Sequence, residues 1–418
     1  MARVEPFKAW RPRADVCAEV ASPPYDVLSS AEAREMAAAN PLSFLHVVKP
    51  EIDLEEGIDL YSDEVYAKGA ENLRRLIDDG NLVREDGPAL YLYRQRMGDH
   101  VQTGLVAGAS VDEYEADLIK KHEHTRPVKE DDRTRHVDSL DANTGPVFLT
   151  YRARPEIDSV VDRLTAADPV YDFTAPDGIQ HVVWVISDPA DREALVAAFK
   201  QVPELYVADG HHRSAAGTRI RALRRDANPN HTGGEPYNFF LSVIFPDDQM
   251  MILDYNRAIR DLGGLDHDAF LARVGERFEI AEDDSGQPDG PRSFGMYLGG
   301  KWYLLLAKEG SFPADDPVRS LDVAILQDNL LAPVLAIGDP RADERIDFVG
   351  GIRGLGELER KVDSGEWAVA FALYPTSIDQ LFAVADAGLV MPPKSTWFEP
   401  KLRSGLIVRP LTDSTKGE

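Results

Sequence analysis

Apolar and polar residues alternate along the chain with the spacings of helices and strands, which predicts a folded protein of mixed secondary structure. In residues 64–79, apolar residues such as Leu73 and Leu76 are separated by charged ones with the spacing of an amphipathic helix. We therefore predict a helix there, ended by Gly80. Further helices are predicted over residues 31–40, 154–167, 191–199, 320–335, 355–364 and 377–387. Strands are predicted over residues 4–12, 90–94, 101–110, 147–151, 181–186, 205–208, 368–371 and 406–411.

Turn-forming residues between apolar runs predict two hairpins. Gly98 and Asp99 separate the strands 90–94 and 101–110, and the turn 246–248 separates 237–245 from 250–257. The closing strand 406–411 is expected to be exposed, so it offers an edge that could pair across a homodimer.

Strands and helices mixed without strict alternation predict an α+β fold. Residues 1–411 are predicted to form one elaborated domain. Its core takes residues 1–260 and 390–411, and residues 265–389 form a smaller α/β part. The last residues, 412–418, are predicted to be a disordered tail.

The composition narrows the class of protein. Apolar residues make up 43% of the 418 residues, as in ordinary globular proteins. The formal net charge of −26 argues against nucleic acid and anionic membrane surfaces as partners. The single cysteine, Cys17, excludes an internal disulfide, and no run is apolar and long enough to span a bilayer. With no apolar leader after Met1, a cytoplasmic location is expected.

Residues 209–213 (DGHHR) carry the strongest chemical signal in the chain. They lie between an apolar, strand-like run and a helix-like one, and such a turn leaves backbone N–H groups at the positive end of a helix dipole. Phosphate binds readily there. His211, His212 and Arg213 add donors and charge, and Arg213 can hold phosphate oxygens as a bidentate fork. The turn therefore predicts a phosphate or nucleotide site; in the alternative, Gly210 only makes a tight connection.

A second polar segment, 117–145, is dense in charged side chains and has little apolar periodicity. The simplest interpretation of its charge run, residues 120–133, is a solvated loop. The functional interpretation is a polyphosphate pocket lined by Glu123, Arg126 and Lys129. In that pocket a carboxylate, with Glu123 as the candidate, would hold Mg²⁺ or act as a base.

Two further features of this region leave alternatives open. His122 and His124 would point the same way on a strand and could share a metal ion, although the chain has no H-E-x-x-H pattern. The small polar turn 143–146 is either a plain turn or a ligand contact.

The irregular segment 391–405 combines prolines, cations and two adjacent aromatic residues. Surface loops rarely contain such aromatics, so the segment is expected to pack onto the fold and to fix Lys394 and Ser395. Lys394, Ser395 and Thr396 repeat the end of a P-loop, but no G-x-x-x-x-G precedes them. These three residues and Lys129 are the predicted substrate-binding residues.

Several blocks carry a resemblance to known families. The turn 209–213, with Arg219 and Ala222 in the helix behind it, resembles the phosphate motif of the ParB/sulfiredoxin superfamily, and DGHHR is similar to the motif of free serine kinases. The chain as a whole is identified as a member of the domain of unknown function 1015 family. The matching blocks are 22–27 (SPPYDV), 43–47 (SFLHV), 122–126 (HEHTR), 129–134 (KEDDRT), 143–146 (NTGP), 209–213 and 391–405.

The resemblance implies a ParB/sulfiredoxin-like core, elaborated with additional strands and helices, whose strand–loop–helix holds nucleotide phosphates. Residues 210–213 would cradle these phosphates, with His212 also among the predicted catalytic residues. Some relatives phosphorylate free L-serine. The motif does not fix the base that takes the serine hydroxyl proton; Glu123 and Asp26 are the candidates, with Asp209 behind them.

The leading hypothesis is therefore a small-molecule kinase that uses ATP or ADP with Mg²⁺, with L-serine as the expected acceptor. Arg213, Arg126 and Lys394 would neutralise charge during the transfer. The rival is a nucleotide-dependent sensor or regulatory protein in which the same loop binds nucleotide and no product forms. A metal hydrolase built on His122 and His124 ranks last.

Overall fold

The computed structural model describes residues 1–412, which divide into two units. The first unit comprises Met1–Met250 and the described residues from Pro400 onward, and the second comprises Met251–Glu399. In sequence, the second unit is thus an insertion within the first. The boundaries differ from those of the expected core, 1–260 with 390–411. The expected tail falls, from residue 413 on, outside the described residues.

The strands are short to medium in length and spread over both units. In chain order they are β1 (Val4–Glu5), β2 (Trp10–Pro12), β3 (Leu82–Arg84), β4 (Leu90–Met97), β5 (His100–Ser110), β6 (Ile119–Lys120), β7 (Ala142–Asn143), β8 (Val147–Tyr151), β9 (Tyr171–Thr174), β10 (Gln180–Ile186), β11 (Leu205–Asp209), β12 (Phe239–Pro246), β13 (Met251–Leu253), β14 (Tyr255–Ile259), β15 (Phe278–Asp283), β16 (Ser293–Leu298), β17 (Lys301–Ala307), β18 (Ile346–Gly350), β19 (Val369–Leu373), β20 (Trp397–Glu399) and β21 (Arg409–Pro410).

The helices lie between these strands. They are α1 (Cys17–Val20), α2 (Ser30–Ala37), α3 (Leu45–Val48), α4 (Asp63–Asp78), α5 (Val111–Glu115), α6 (Pro127–Leu140), α7 (Pro155–Thr165), α8 (Pro189–Phe199), α9 (His211–Ala227), α10 (His267–Val274), α11 (Asp322–Leu326), α12 (Leu355–Asp363) and α13 (Ile378–Asp386). A π-helical turn, Gln327–Leu331, continues α11.

A mixed nine-stranded sheet is the centre of the first unit. Its strands lie in the order β6-β11-β8-β12-β5-β4-β10-β9, with β1 paired to β5. The pairs β12–β8 and β11–β6 are parallel, and the remaining pairs of this sheet are antiparallel. Apolar side chains such as Leu92, Leu105, Leu149 and Phe199 form its buried core. The predicted α+β class is confirmed, while the ParB/sulfiredoxin-like core stays a prediction.

The second unit has its own antiparallel sheet of six strands, in the order β15-β17-β16-β19-β14-β18. Trp302, Leu358 and Trp367 belong to its separate apolar core. The short strands β13 and β20 pair with each other within this unit. Across both units, none of the described helices is long and apolar enough to cross a membrane.

Two elements that the hydrophobic pattern predicts are confirmed. The helix predicted over 64–79 is α4, which buries Val65, Leu73 and Leu76 and leaves its charged face outside. Strands β4 and β5 form the predicted hairpin, with Met97 paired to His100 across the turn. In both cases a single buried face imposes the period that the sequence displays.

Two predicted strand arrangements are wrong. The hairpin expected across 246–248 does not form, because β12 pairs with β5 and β8 in the first unit while the chain continues into β13 of the second. The closing strand is not an exposed edge either: Leu406, Val408 and Leu411 are buried, and Arg409 pairs with Asn143 of β7. The proposed dimer contact through this strand therefore has no exposed edge to use.

The solvated-loop interpretation of residues 120–133 is wrong from residue 127 on, because residues Pro127–Leu140 form the fourteen-residue helix α6. Pro127 occupies the first turn, where a missing N–H costs nothing. The buried residues of the helix include Asp132, Thr134 and His136. A helix whose buried side chains are polar has no apolar stripe, so the hydrophobic pattern cannot reveal it.

Candidate functional site

Strand order brings three polar segments to one edge of the nine-stranded sheet. Strands β6 and β11 are parallel neighbours, so the loop 122–126 after β6 and the turn at Gly210 after β11 leave the sheet at the same edge. Strand β8 is antiparallel to β11, so the turn 143–146 that leads into β8 begins there too. The fold thus explains why blocks far apart in sequence meet.

The turn into α9 has the backbone geometry of an anion site. Gly210 adopts φ +95°, a left-handed conformation that side chains disfavour. Among the described residues no side chain caps this helix, so the N–H groups of His211 and His212 have no partner within it. The N–H of Arg213 donates to the Gly210 carbonyl at 2.9 Å. Two backbone donors and the helix dipole therefore point at one spot.

The Arg213 guanidinium lies between two carboxylates. Its Nη2 is 3.7 Å from Asp26 and 3.8 Å from Asp209, and only 10% of its side chain is exposed. Burial opposes its charge, but Asp26 and Asp209 outweigh burial and raise the pKa of Arg213 above its ordinary value. Its Nε has no hydrogen-bond partner among the described residues. The group is a fixed cation with donors still available for a ligand.

Asp209 is held as a carboxylate by its neighbours. Lys401 Nζ lies 3.3 Å from its Oδ2, and the Gly210 N–H donates to its Oδ1 at 2.8 Å. Burial alone would favour the protonated acid, but Lys401 and Arg213 keep the pKa of Asp209 far below its ordinary value. A carboxylate so strongly stabilised is a weak proton acceptor at neutral pH, so Asp209 is better suited to positioning Arg213 and Lys401.

His212 is tied to the neighbouring loop. Its Nε2 accepts a hydrogen bond of 3.1 Å from the backbone N–H of Arg126. Burial and the Arg126 charge lower the pKa of His212, so the ring is neutral at neutral pH. A neutral ring that accepts at Nε2 carries its proton on Nδ1. His212 can therefore donate a hydrogen bond to a phosphate oxygen.

His122, Glu123 and His211 form a second cluster beside the turn. His211 Nδ1 lies 4.0 Å from Glu123 Oε2, and the rings of His122 and His211 meet edge to face with centroids 4.5 Å apart. Burial lowers the pKa of His122 to about 4, against smaller opposing effects of Val207 and Asp209. Burial, followed by the His122 ring, likewise holds the pKa of His211 well below its ordinary value.

A match to a protein family covers most of the first unit and part of the second. A family model described as "Protein of unknown function (DUF1015)" matches residues 4–324, well over half of the chain. The chain belongs to the DUF1015 family. The matched region includes the turn at Gly210 and the loop 122–126, whereas Lys401 lies outside it.

The DUF1015 chain matches none of the curated proteins. Among solved structures, a free serine kinase variant in complex with AMP is 13% identical, with a TM-score of 0.37 over 72% of this chain and 92% of that chain. SbnI with a C-terminal truncation, from Staphylococcus aureus, is 13% identical, with a TM-score of 0.38 over 73% and 87%. A conserved hypothetical protein from Pyrococcus furiosus is 15% identical, with a TM-score of 0.34 over 72% and 95%. At these TM-scores the likenesses support no conclusion about the chemistry of this DUF1015 chain.

The structure brings most of the predicted nucleotide and catalytic residues of the DUF1015 chain together in the first unit. Arg213 pairs with both Asp26 and Asp209, His211 faces Glu123, and His212 accepts a hydrogen bond from Arg126. Their roles stay predictions.

The four predicted substrate-binding residues have other contacts. Lys129 is in the first unit, where its Nζ donates to the Tyr61 hydroxyl at 3.1 Å. Lys394, Ser395 and Thr396 belong to the second unit. There Lys394 Nζ lies 5.5 Å from the ring centre of Tyr255, and the Ser395 hydroxyl donates to the Pro392 carbonyl at 2.6 Å. The role of Lys394–Thr396 in binding substrate stays a prediction.

The predicted pair of His122 and His124 does not form. His122 is buried and His124 exposed, so the two side chains do not share a face. The segment is a loop, and the alternation of a strand does not apply to it.

Sequence reasoning missed three residues of the site in the DUF1015 chain. Lys401 pairs with Asp209, Arg133 stacks 3.9 Å from the ring centre of Tyr25, and His136 lies with Arg213 around a cavity of about 30 Å³. The cavity has room for one or two water molecules. Had α6 been recognised, the spacing of Arg133 and His136 by three residues would have placed both on one helix face.

Replacing Gly210 by alanine is expected to destabilise the DUF1015 chain by about 1–2 kcal/mol, because a side chain is strained at positive φ. The new Cβ would also lie 2.8 Å from Arg213 Nε and would displace the guanidinium. Urea unfolding measures the loss of stability. Gly178→Ala is the matched control, since Gly178 has φ +81° and no atom within 4 Å of an added Cβ. An equal loss of stability in the two variants would show that the added Cβ at residue 210 does not crowd Arg213.

Proposed function

We propose that this protein is a nucleotide-dependent kinase that transfers a phosphoryl group from ATP or ADP to the hydroxyl group of free L-serine, giving O-phosphoserine. The observation that carries the proposal is the meeting of an uncapped helix N-terminus with Arg213 and with the two carboxylates of Asp26 and Glu123 in one unit. L-serine as acceptor follows from the resemblance of DGHHR to the motif of free serine kinases.

The turn supplies the groups that phosphoryl transfer needs on the nucleotide side. The N–H groups at the start of α9 and the Nδ1–H of His212 would bind phosphate oxygens. Arg213 would neutralise the charge that spreads over the transferring group, with the exposed Arg126 beside it. Asp209 and Asp26 hold Arg213 in place before any ligand binds, which lowers the cost of organising the site.

The acceptor side needs one proton acceptor. The serine hydroxyl oxygen forms a bond to phosphorus as the bond to the departing nucleotide phosphate breaks, and the hydroxyl proton passes to a carboxylate. Asp26 and Glu123 are both partly exposed, with 37% and 43% of the side chain accessible. Asp209 is the weaker candidate because its pKa is held so low.

Mg²⁺ would accompany the nucleotide, since this ion binds phosphate oxygens together with one or two carboxylates. Glu123 is the predicted protein ligand, and its partly exposed carboxylate fits an oxygen-binding ion. The ion would neutralise phosphate charge, while the proton transfer stays with the carboxylate base.

The test is ³¹P NMR of the full-length protein with Mg²⁺ and L-serine, once with ATP and once with ADP, and again without serine. A phosphomonoester resonance that requires both serine and Arg213 is the expected result. Nucleotide that binds but stays unchanged would overturn the kinase proposal in favour of a nucleotide sensor. Hydrolysis without dependence on serine would keep the phosphate site and reject the acceptor.

A further inference from the structure

Two buried histidines beside the turn lack the partners that buried polar groups normally have. His122 is 2% exposed and His211 is 5% exposed. Among the described residues, neither nitrogen of His122 and not Nε2 of His211 makes a hydrogen bond of normal geometry, and the Val207 backbone interacts with the His122 ring outside that geometry. Buried polar atoms in native proteins are almost always satisfied by protein, water or an ion. These three nitrogens therefore indicate a bound species at this position.

The two rings and a carboxylate have the arrangement of a metal-binding group. His122, Glu123 and His211 each offer one ligand atom, and these atoms all lie within 4.8 Å of one another. Two ligand atoms on one tetrahedral ion with bonds of ~2.1 Å are about 3.4 Å apart. A pair at the 4.8 Å limit would have to close by about 1.4 Å to share the ion. Of the three side chains, Glu123 is the most exposed, at 43%.

We propose that His122, Glu123 and His211 hold one divalent transition-metal ion of the zinc or cobalt class. Two imidazole nitrogens and one carboxylate oxygen suit such ions, whereas Mg²⁺ prefers oxygen ligands and retains its water. Three protein ligands leave at least one coordination position for water or a phosphate oxygen. The inference needs neither nucleotide nor serine, but it shares Glu123 with the proposed kinase site. With a transition-metal ion on Glu123, Asp26 is the remaining candidate base and the Mg²⁺ that accompanies the nucleotide would take other ligands.

The ligands come from two elements whose position the sheet fixes. His122 and Glu123 follow β6, and His211 begins α9 after the parallel neighbour β11. The site is thus set up by strand pairing before an ion binds. His124 is exposed on the same loop and is not a member of the group, which makes it the matched control.

The experiment uses full-length protein, stripped with chelator and titrated with Co²⁺ and then Zn²⁺ in the absence of nucleotide. Visible absorption of Co²⁺ reports its coordination, and calorimetry gives the stoichiometry of Zn²⁺. One equivalent per chain is expected, with the intense absorption of a four- or five-coordinate ion. Mg²⁺ at millimolar concentration is expected not to displace either ion.

Two variants test proposed ligands and a third is the control. His122→Ala is expected to lower the affinity for Zn²⁺ at least about 100-fold, and Glu123→Gln about 10- to 100-fold. His124→Ala is expected to change this affinity less than about twofold. Thermal unfolding checks that each variant is folded, and the partly exposed Glu123 keeps the test valid if His122→Ala fails to fold. Absent Co²⁺ absorption, equal affinity in all three variants, or displacement by Mg²⁺ would each overturn the proposal.

Discussion

Replacement of Arg213 by alanine is expected to lower kcat/KM for phosphoryl transfer at least about 10³-fold, the scale seen when a transition-state arginine is removed. The fold should persist, because the two ion pairs that the substitution removes are long, at 3.7 and 3.8 Å. Asp209 also keeps its closer contact with Lys401. Steady-state kinetics measure kcat/KM, and circular dichroism checks that the variant is folded. His212→Ala is also expected to lose activity, because it removes the proposed Nδ1–H donor to a phosphate oxygen at the same turn.

Two further substitutions separate the role of Arg213 from a general effect of charge. Arg213→Lys keeps the cation but loses the planar fork, so an intermediate loss is expected. Arg219→Ala removes a cation from the same helix at a position that pairs with Glu130 and Asp131, and activity near the native level is expected. If Arg213→Ala and His212→Ala both retained native activity, the turn would have no part in binding the transferring phosphate.

Replacement of Asp322, in the second unit, is expected to have a large effect on the free energy of unfolding. This carboxyl is 8% exposed, and burial raises its pKa from 3.8 to about 7. An acid with a raised folded pKa binds its proton more tightly in the folded state, so the free energy of unfolding falls as pH rises from about 4 to about 7. At 1.36 kcal/mol for each pKa unit, the full penalty is about 4 kcal/mol above pH 7.

Asp322→Asn should remove this penalty, because the amide oxygen can still accept the Arg292 N–H, now 2.8 Å from Oδ1. We expect the variant to be more stable than the native chain by up to about 4 kcal/mol at pH 8, falling to about 2 kcal/mol at pH 5.5. Urea unfolding followed by tryptophan fluorescence measures the difference. Asp328→Asn is the control, since 48% of that side chain is exposed. A gain that did not change with pH would exclude titration of Asp322 as its cause.

The sequence predicts elements well where one face packs on an apolar core and the other meets water. Helix α4 and the β4–β5 hairpin have such faces, and their periods can be read directly. Helix α6 cannot be read in this way, because Asp132 and His136 are buried on the side of the site. The failed hairpin after β12 had acceptable turn residues, but the partners of β12 come from β5 and β8, far away in sequence.

In the candidate site, too, local features can be predicted from the sequence and long-range contacts cannot. The turn at Gly210 is local, so strand, glycine and helix are visible in consecutive residues. The contact between Asp209 and Lys401 spans 192 positions, and no local pattern encodes it. His122 and His211 also meet only because β6 lies beside β11. Side chains with suitable chemistry can be found in sequence, whereas their partners require the topology.

Lys401 reaches Asp209 only after the chain has passed through the whole second unit. The same returning stretch forms the Ser22–Ser404 bridge and the β21–β7 pair, which tie it to the first unit. During synthesis from the N-terminus, the turn at Gly210 leaves the ribosome long before its lysine partner does. A nascent chain that ends within the inserted unit therefore contains DGHHR without the cation that holds Asp209. The site is completed by residues that are translated after the inserted unit.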